Sequence, residues 1–172
     1  MLPVLALVAA LTTTESPQLE RDYNAPWRQG RSRLGFTGGA SVFGGGGNDT
    51  QFYLGGSYGY FVVDNLELGI DALFLFGGQT DFMLRTGPSL TFVVPFESDF
   101  QPYIGAFYRH WFITDAAFAD VDTLGGKLGI FITSSTVFLQ LGVVVERVVS
   151  ACDDALQDCT SVYPELGFSI GL

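Results

Sequence analysis

From residue 66 to residue 94 the chain alternates twice. Leu66, Leu68, Ile70, Ala72, Phe74 and Phe76 recur at every second place, separated by Glu67, Gly69, Asp71, Leu73 and Leu75. After Gly77, Gly78, Gln79 and Thr80 the alternation resumes, with Leu84, Thr86, Pro88, Leu90, Phe92 and Val94 set against Met83, Arg85, Gly87, Ser89 and Thr91. A period of two is that of a β-strand with unlike faces. The pattern predicts a hairpin whose one face is apolar while the other is small or charged.

The same alternation recurs along the rest of the chain. Residues 33–43 place Leu34, Phe36, Ala40 and Val42 opposite Gly35, Thr37, Gly39 and Ser41, and residues 51–62 place Phe52, Leu54, Tyr58 and Tyr60 opposite Tyr53, Gly55, Ser57, Gly59 and Phe61. A fifth strand over 101–113 turns Ile104, Ala106, Tyr108 and Phe112 one way and Tyr103, Phe107, Arg109 and Trp111 the other. The sixth sets Leu128, Ile130 and Ile132 against Lys127, Phe131 and Thr133; the seventh sets Leu139, Leu141, Val143 and Val145 against Phe138, Gln140, Val144 and Glu146. The last runs to the end, with Val162, Pro164, Leu166, Phe168 and Ile170 opposite Tyr163, Glu165, Gly167 and Ser169. About eight strands of roughly 9–13 residues result, long enough to cross a bilayer when tilted.

The charged residues share one phase. Glu67, Asp71, Arg85, Arg109, Lys127, Glu146 and Glu165 all fall on the face opposite the apolar set. On a lipid face near mid-bilayer such groups would cost roughly 2–4 kcal/mol, so the shared phase predicts an apolar exterior and an ionic interior. In a barrel of this size the interior is just wide enough for side chains, and charges of both signs are expected to pair into a closed network. The phase also predicts that Phe74→Asp blocks membrane assembly while Thr91→Asp is tolerated better.

Composition sharpens the picture. Hydrophobic residues make up 48 % of the 172 and charged ones 15 %, whereas a soluble domain carries roughly 25–35 % charge on its surface. No apolar run reaches the roughly 18 residues of a membrane-spanning helix. The net charge of −10 leaves no basic stripe for phosphates and excludes a nucleic-acid partner. Residues 1–15 open on a short apolar run with Val8 and Ala10 placed for cleavage, which reads as a signal peptide. Residues 16–32 lack periodicity and are expected to form a periplasmic N-terminal segment, leaving 33–172 for the barrel. The gaps at 44–49, 77–81, 114–124 and 148–160 are mostly longer than those at 63–65, 96–100 and 134–135, which predicts periplasmic termini and external loops at the other end.

Three further groups invite chemistry. Cys152 and Cys159 can close a short disulfide loop in an oxidising compartment, worth roughly 2–3 kcal/mol on the chain-entropy model. Asp115, Asp120 and Asp122 offer carboxylate oxygens to a divalent cation, but without EF-hand spacing they read first as solvated loop acids, and no metal is expected. His110, the one imidazole, falls on the apolar face beside Tyr108 and Phe112, where an interfacial role is expected before a catalytic one. Gly44 to Gly47 lacks the lysine and helix of a phosphate cradle.

The alternating strands, the run Pro102-Tyr103-Ile104-Gly105-Ala106, the interior charges and the terminal strand from Tyr163 to Leu172 resemble the small eight-stranded outer-membrane barrels of the OmpA transmembrane domain, OmpX and OmpW kind. The resemblance covers residue 33 to the end. It implies an antiparallel up-and-down transmembrane β-barrel in a Gram-negative envelope, with lipid, lipopolysaccharide and the barrel-assembly machinery as partners and no cofactor. Members usually end in an aromatic residue; this chain ends in Leu172. A non-enzymatic structural or surface-interaction role is expected. The alternatives are a small channel for ions or small hydrophobic molecules and a soluble lipocalin-like barrel with its apolar set inward.

Overall fold

A computed structural model of the chain describes residues 25–42, 50–77, 83–113, 120–134, 136–150 and 159–172. The eight strands are β1 (Ser32–Val42), β2 (Thr50–Val63), β3 (Leu66–Phe76), β4 (Met83–Val93), β5 (Phe100–Ile113), β6 (Val121–Ser134), β7 (Val137–Val148) and β8 (Thr160–Gly171). Each pairs antiparallel with its neighbour in sequence, and β8 returns to pair with β1, so the sheet closes. Closure matters because a strand edge left open in hydrocarbon would hold unpaired backbone groups. The β2–β3 link is a tight turn in which Asn65 takes a left-handed φ of 66°, a conformation asparagine tolerates.

The apolar set lies outside on every strand. Phe36, Leu54, Ile70, Leu90, Ile104, Leu128, Leu141 and Leu166 are exposed, while their sequence neighbours turn inward. Soluble monomers rarely show contiguous apolar patches beyond a few hundred Å², and here the greasy band encircles the wall. That arrangement overturns the lipocalin-like alternative, which needs Leu68, Phe74, Leu90 and Leu139 in a central core; they are 51 %, 42 %, 42 % and 41 % exposed.

The interior is filled by side chains. At the end where the short turns lie, Phe61, Val93, Tyr103, Phe131 and Phe138 form an apolar cluster around Trp27. At the loop end Tyr53, Leu73, Leu75, Met83, Phe107, Trp111, Val144 and Tyr163 form another. The buried charges occupy the space between these clusters and reach into the second.

Two expectations on boundaries change. The acidic loop at 114–124 is shorter than expected, because β6 begins at Val121, where the Trp111, His110 and Arg109 backbones pair with Val121, Asp122 and Thr123. The stretch taken as an aperiodic N-terminal segment includes a 3-10 turn, Ala25–Trp27, that packs into the barrel end. A single turn carries no periodicity for sequence reading to detect. The proposed signal peptide at 1–15 lies outside the described residues.

Candidate functional site in the barrel interior

Every second residue of a strand faces in, so each interior charge is carried by a fixed point of the wall. Arg33 on β1 and Glu67 on β3 face each other across β2, and the guanidinium donates from Nε and Nη2 to the two carboxylate oxygens, 2.7 Å each. Gly59 makes room for this pair: a Cβ there would overlap the Glu67 carboxylate. Arg109 on β5 repeats the fork with Asp71, at 2.9 and 3.1 Å. A bidentate pair fixes both partners in orientation as well as in charge.

Glu146 on β7 collects the remaining donors. Its Oε2 accepts from Arg85 Nη1 at 3.3 Å and from the Tyr163 hydroxyl at 2.7 Å, and its Oε1 accepts from Thr123 at 2.6 Å. Arg109 Nη1 lies 3.8 Å from the same carboxylate and donates to Tyr163 at 3.1 Å. The guanidinium groups also lie over rings, Arg85 over Trp111 at 3.5 Å and Arg109 over Phe107 at 3.9 Å. Aromatic faces thus cover the cations where no carboxylate does.

Lys127 and Glu165 are held less tightly. Glu165 Oε1 accepts from Gln140 at 3.1 Å and from Thr37 at 3.4 Å, while its Oε2 has no hydrogen-bond partner. Both residues line a polar cavity of about 20 Å³ together with Arg33, Ser57, Asp71 and Gln140. A polar cavity above about 10–15 Å³ holds water, so the volume suits one water molecule and little more.

Of the residues singled out in the sequence, Glu67, Asp71, Arg85, Arg109, Lys127, Glu146 and Glu165 are all buried inside, 2–9 % exposed. Arg33 joins them, although the sequence reading left it out; it shares the inward phase of Gly35, which was the available signal. With it, four buried acids balance four buried bases among the described residues. Gln140 and Tyr163 were legible as inward positions but carried no charge to mark them as network members, while Thr123 was hidden in the stretch expected to be the 114–124 loop.

His110 is on the outer face. Its Nδ1 lies 2.7 Å from Asp122 Oδ1 and its Nε2 lies 3.6 Å from Asp120 Oδ2, while Tyr108 donates to Asp122 at 2.6 Å. Nδ1 is held by Asp122, while Nε2 lies beyond hydrogen-bond distance of Asp120 on a partly exposed ring. Asp122 is thereby a strand residue tied to His110 and Tyr108, not a loop acid, and Asp120 turns the same way. Asp115 lies outside the described residues. Cys159 is not free, and Cys152 lies outside the described residues.

No protein-family model matches the chain, and no curated protein does. Solved structures do. Neisserial surface protein A (NspA) superposes with a TM-score of 0.66 at 17 % identity over 83 % of this chain and 97 % of its own. The N-terminal β-barrel domain of Pseudomonas aeruginosa OprF gives 0.60 at 14 % identity over 84 % and 98 %. The outer membrane protein OprG from Pseudomonas aeruginosa gives 0.50 at 15 % identity over 84 % and 97 %. The chain has the fold of the small eight-stranded outer-membrane β-barrels.

Proposed function

We propose that the chain is a non-enzymatic barrel of the outer membrane with a structural or surface-interaction role, its interior closed to axial passage. The observation that carries this reading is the stacking of the interior: a charge-balanced middle, four acids with four bases, lies between two apolar clusters. An ion entering from either end meets aromatic side chains before it meets a compensating charge, and Arg33, Arg85 and Arg109 are already paired with Glu67, Glu146 and Asp71. The band of outward leucine, isoleucine and phenylalanine supports contact with acyl chains, and the fold of the neighbours supports the outer membrane.

Several finer parts belong to the same proposal. The termini and the links β2–β3, β4–β5 and β6–β7 face the periplasm, a signal peptide precedes the barrel, and the links β1–β2, β3–β4, β5–β6 and β7–β8 form the surface facing lipopolysaccharide and the medium. Cys152 and Cys159 form a disulfide there, with export oxidising it and the assembly machinery inserting the barrel. Planar-bilayer recording of the reconstituted chain tests the closed interior. Silence under applied voltage is the expected result; steady single-channel steps would show an open axis.

A further inference from the structure

The short-turn end of the barrel is closed by the chain's own N-terminal side. Trp27 is fully buried, its ring centroid 5.8 Å from Phe61, 5.1 Å from Phe131 and 4.8 Å from Phe138. Together with Val93 and Tyr103 these side chains make an aromatic socket filled by one indole. The described backbone bonds that hold the cap are one-sided. The backbone bonds described between residues 25–31 and the wall all go to the β2–β3 hairpin: Asn65 N to Trp27 O at 2.7 Å, Gly30 N to Phe61 O at 2.9 Å and Phe61 N to Arg31 O at 2.9 Å. Gln29 N adds a bond to Asp64 Oδ1, 2.7 Å.

The opposite side is different. There Ala25 and Pro26 face Thr136, Phe138 and Leu172 across a half-open, mostly apolar groove of about 160 Å³. Gly30, at a left-handed φ of 86°, joins the cap to β1. Trp27 Nε1 is buried without a hydrogen-bond partner, a desolvated donor that works against permanent burial. Phe131 touches both the indole and the polar interior, since its ring lies 5.1 Å from that of Trp27 and Arg33, 5.0 Å from it, also lines the Lys127–Glu165 cavity.

We propose that Trp27 is a hinged stopper: residues 25–31 swing on the β2–β3 hairpin, and the emptied socket of Phe61, Val93, Tyr103, Phe131 and Phe138 takes a small planar aromatic molecule from the solvent at that end. An apolar cavity of aromatic shape binds such molecules without a polar anchor. The loop-end cluster stays in place, so the opening makes a vestibule and no axial pore. The proposal thus stands apart from the closed-axis reading and can fail without it.

Thiol reactivity tests it on the full chain in lipid nanodiscs. Val93→Cys places a thiol in the socket, and a charged methanethiosulfonate reports its access to water; heat-modifiable mobility confirms that each variant is folded, and the chain without Val93→Cys gives the background. A slow, measurable rate is expected with Trp27 present. Adding Trp27→Ala should raise the rate by at least about tenfold, as expected when a local opening becomes the resting state. Millimolar indole should then lower it toward the starting value. An unreactive thiol with Trp27 present overturns the hinge, and a rate unchanged by Trp27→Ala or by indole overturns the socket. If Trp27→Ala does not fold, Trp27→Leu carries the same expectations with a smaller rate increase. An independent readout is the quenching of Trp27 fluorescence by a water-soluble quencher in a Trp111→Phe background: weak but finite quenching agrees with the hinge, and none contradicts it.

Discussion

Glu146 holds more donors than any other interior acid described, receiving Arg85, Tyr163 and Thr123 with Arg109 close by. Its removal would leave Arg85 without that carboxylate and the Tyr163 hydroxyl without its acceptor, deep inside the wall. Breaking one partner of a buried pair typically costs about 3–5 kcal/mol. Glu146→Ala should therefore lower the unfolding free energy by about that amount, read as the shift of a urea transition in detergent micelles. Glu165→Gln should move it by less than Glu146→Ala does, because this carboxylate holds fewer donors and already lacks one partner. Equal losses from the two would mean that the hydrogen-bond count does not govern stability here. Thr91 corrects the sequence-based contrast with Phe74: it is 1 % exposed, and its hydroxyl has no hydrogen-bond partner. A carboxylate at that packed position would be an unpaired buried charge, so Thr91→Asp is expected to damage assembly too. Alternation indicates which way a residue faces; it does not show how much room it has.

At the scale of the strand the sequence was most legible. The β3 strand spans Leu66–Phe76, the same residues that alternation marks, and β4, β5 and β8 differ from it by one or two at their ends. The reason is physical: lipid outside and packed charge inside impose opposite chemistry on adjacent residues, which writes a strong period into the chain. The start of β6 was hidden because Asp122 is a polar residue on the outer face, satisfied by His110 and Tyr108 rather than by water alone. Trp27 was hidden because it sits in a single 3-10 turn, too short to write a period into the sequence. Glycine shows where strands approach closely. A Cβ on Gly87 would overlap the Tyr108 carbonyl and crowd the Arg109 backbone at 2.9 Å. Gly87→Ala should therefore push β4 from β5 and lower the yield of folded barrel, whereas at Gly56, where the nearest atom is 3.7 Å away, Gly56→Ala should leave the yield unchanged. The fraction migrating in the folded form on an unboiled gel checks both. For the link between β7 and β8, envelope-purified chain should resist alkylation at Cys152 and Cys159 until reduced. Labelling without reductant would contradict the bridge.

Across the whole molecule the arrangement is an inversion of a soluble protein, with an apolar outside and an ionic inside. The wall satisfies its own backbone by closing β8 on β1, and the interior charges are enclosed within it, with Arg33, Arg85 and Arg109 paired to carboxylates, so none of them need reach the hydrocarbon. Brominated lipids, which quench indole on contact, test this most directly. Trp27 and Trp111 are the chain's two tryptophans, and both are buried in the interior. In vesicles of brominated lipid the unmodified chain should keep nearly all its fluorescence, while Phe74→Trp, on the outer face, should add a component that the bromines extinguish. Quenching of the native tryptophans with an unquenched indole at position 74 would put the two faces the wrong way round.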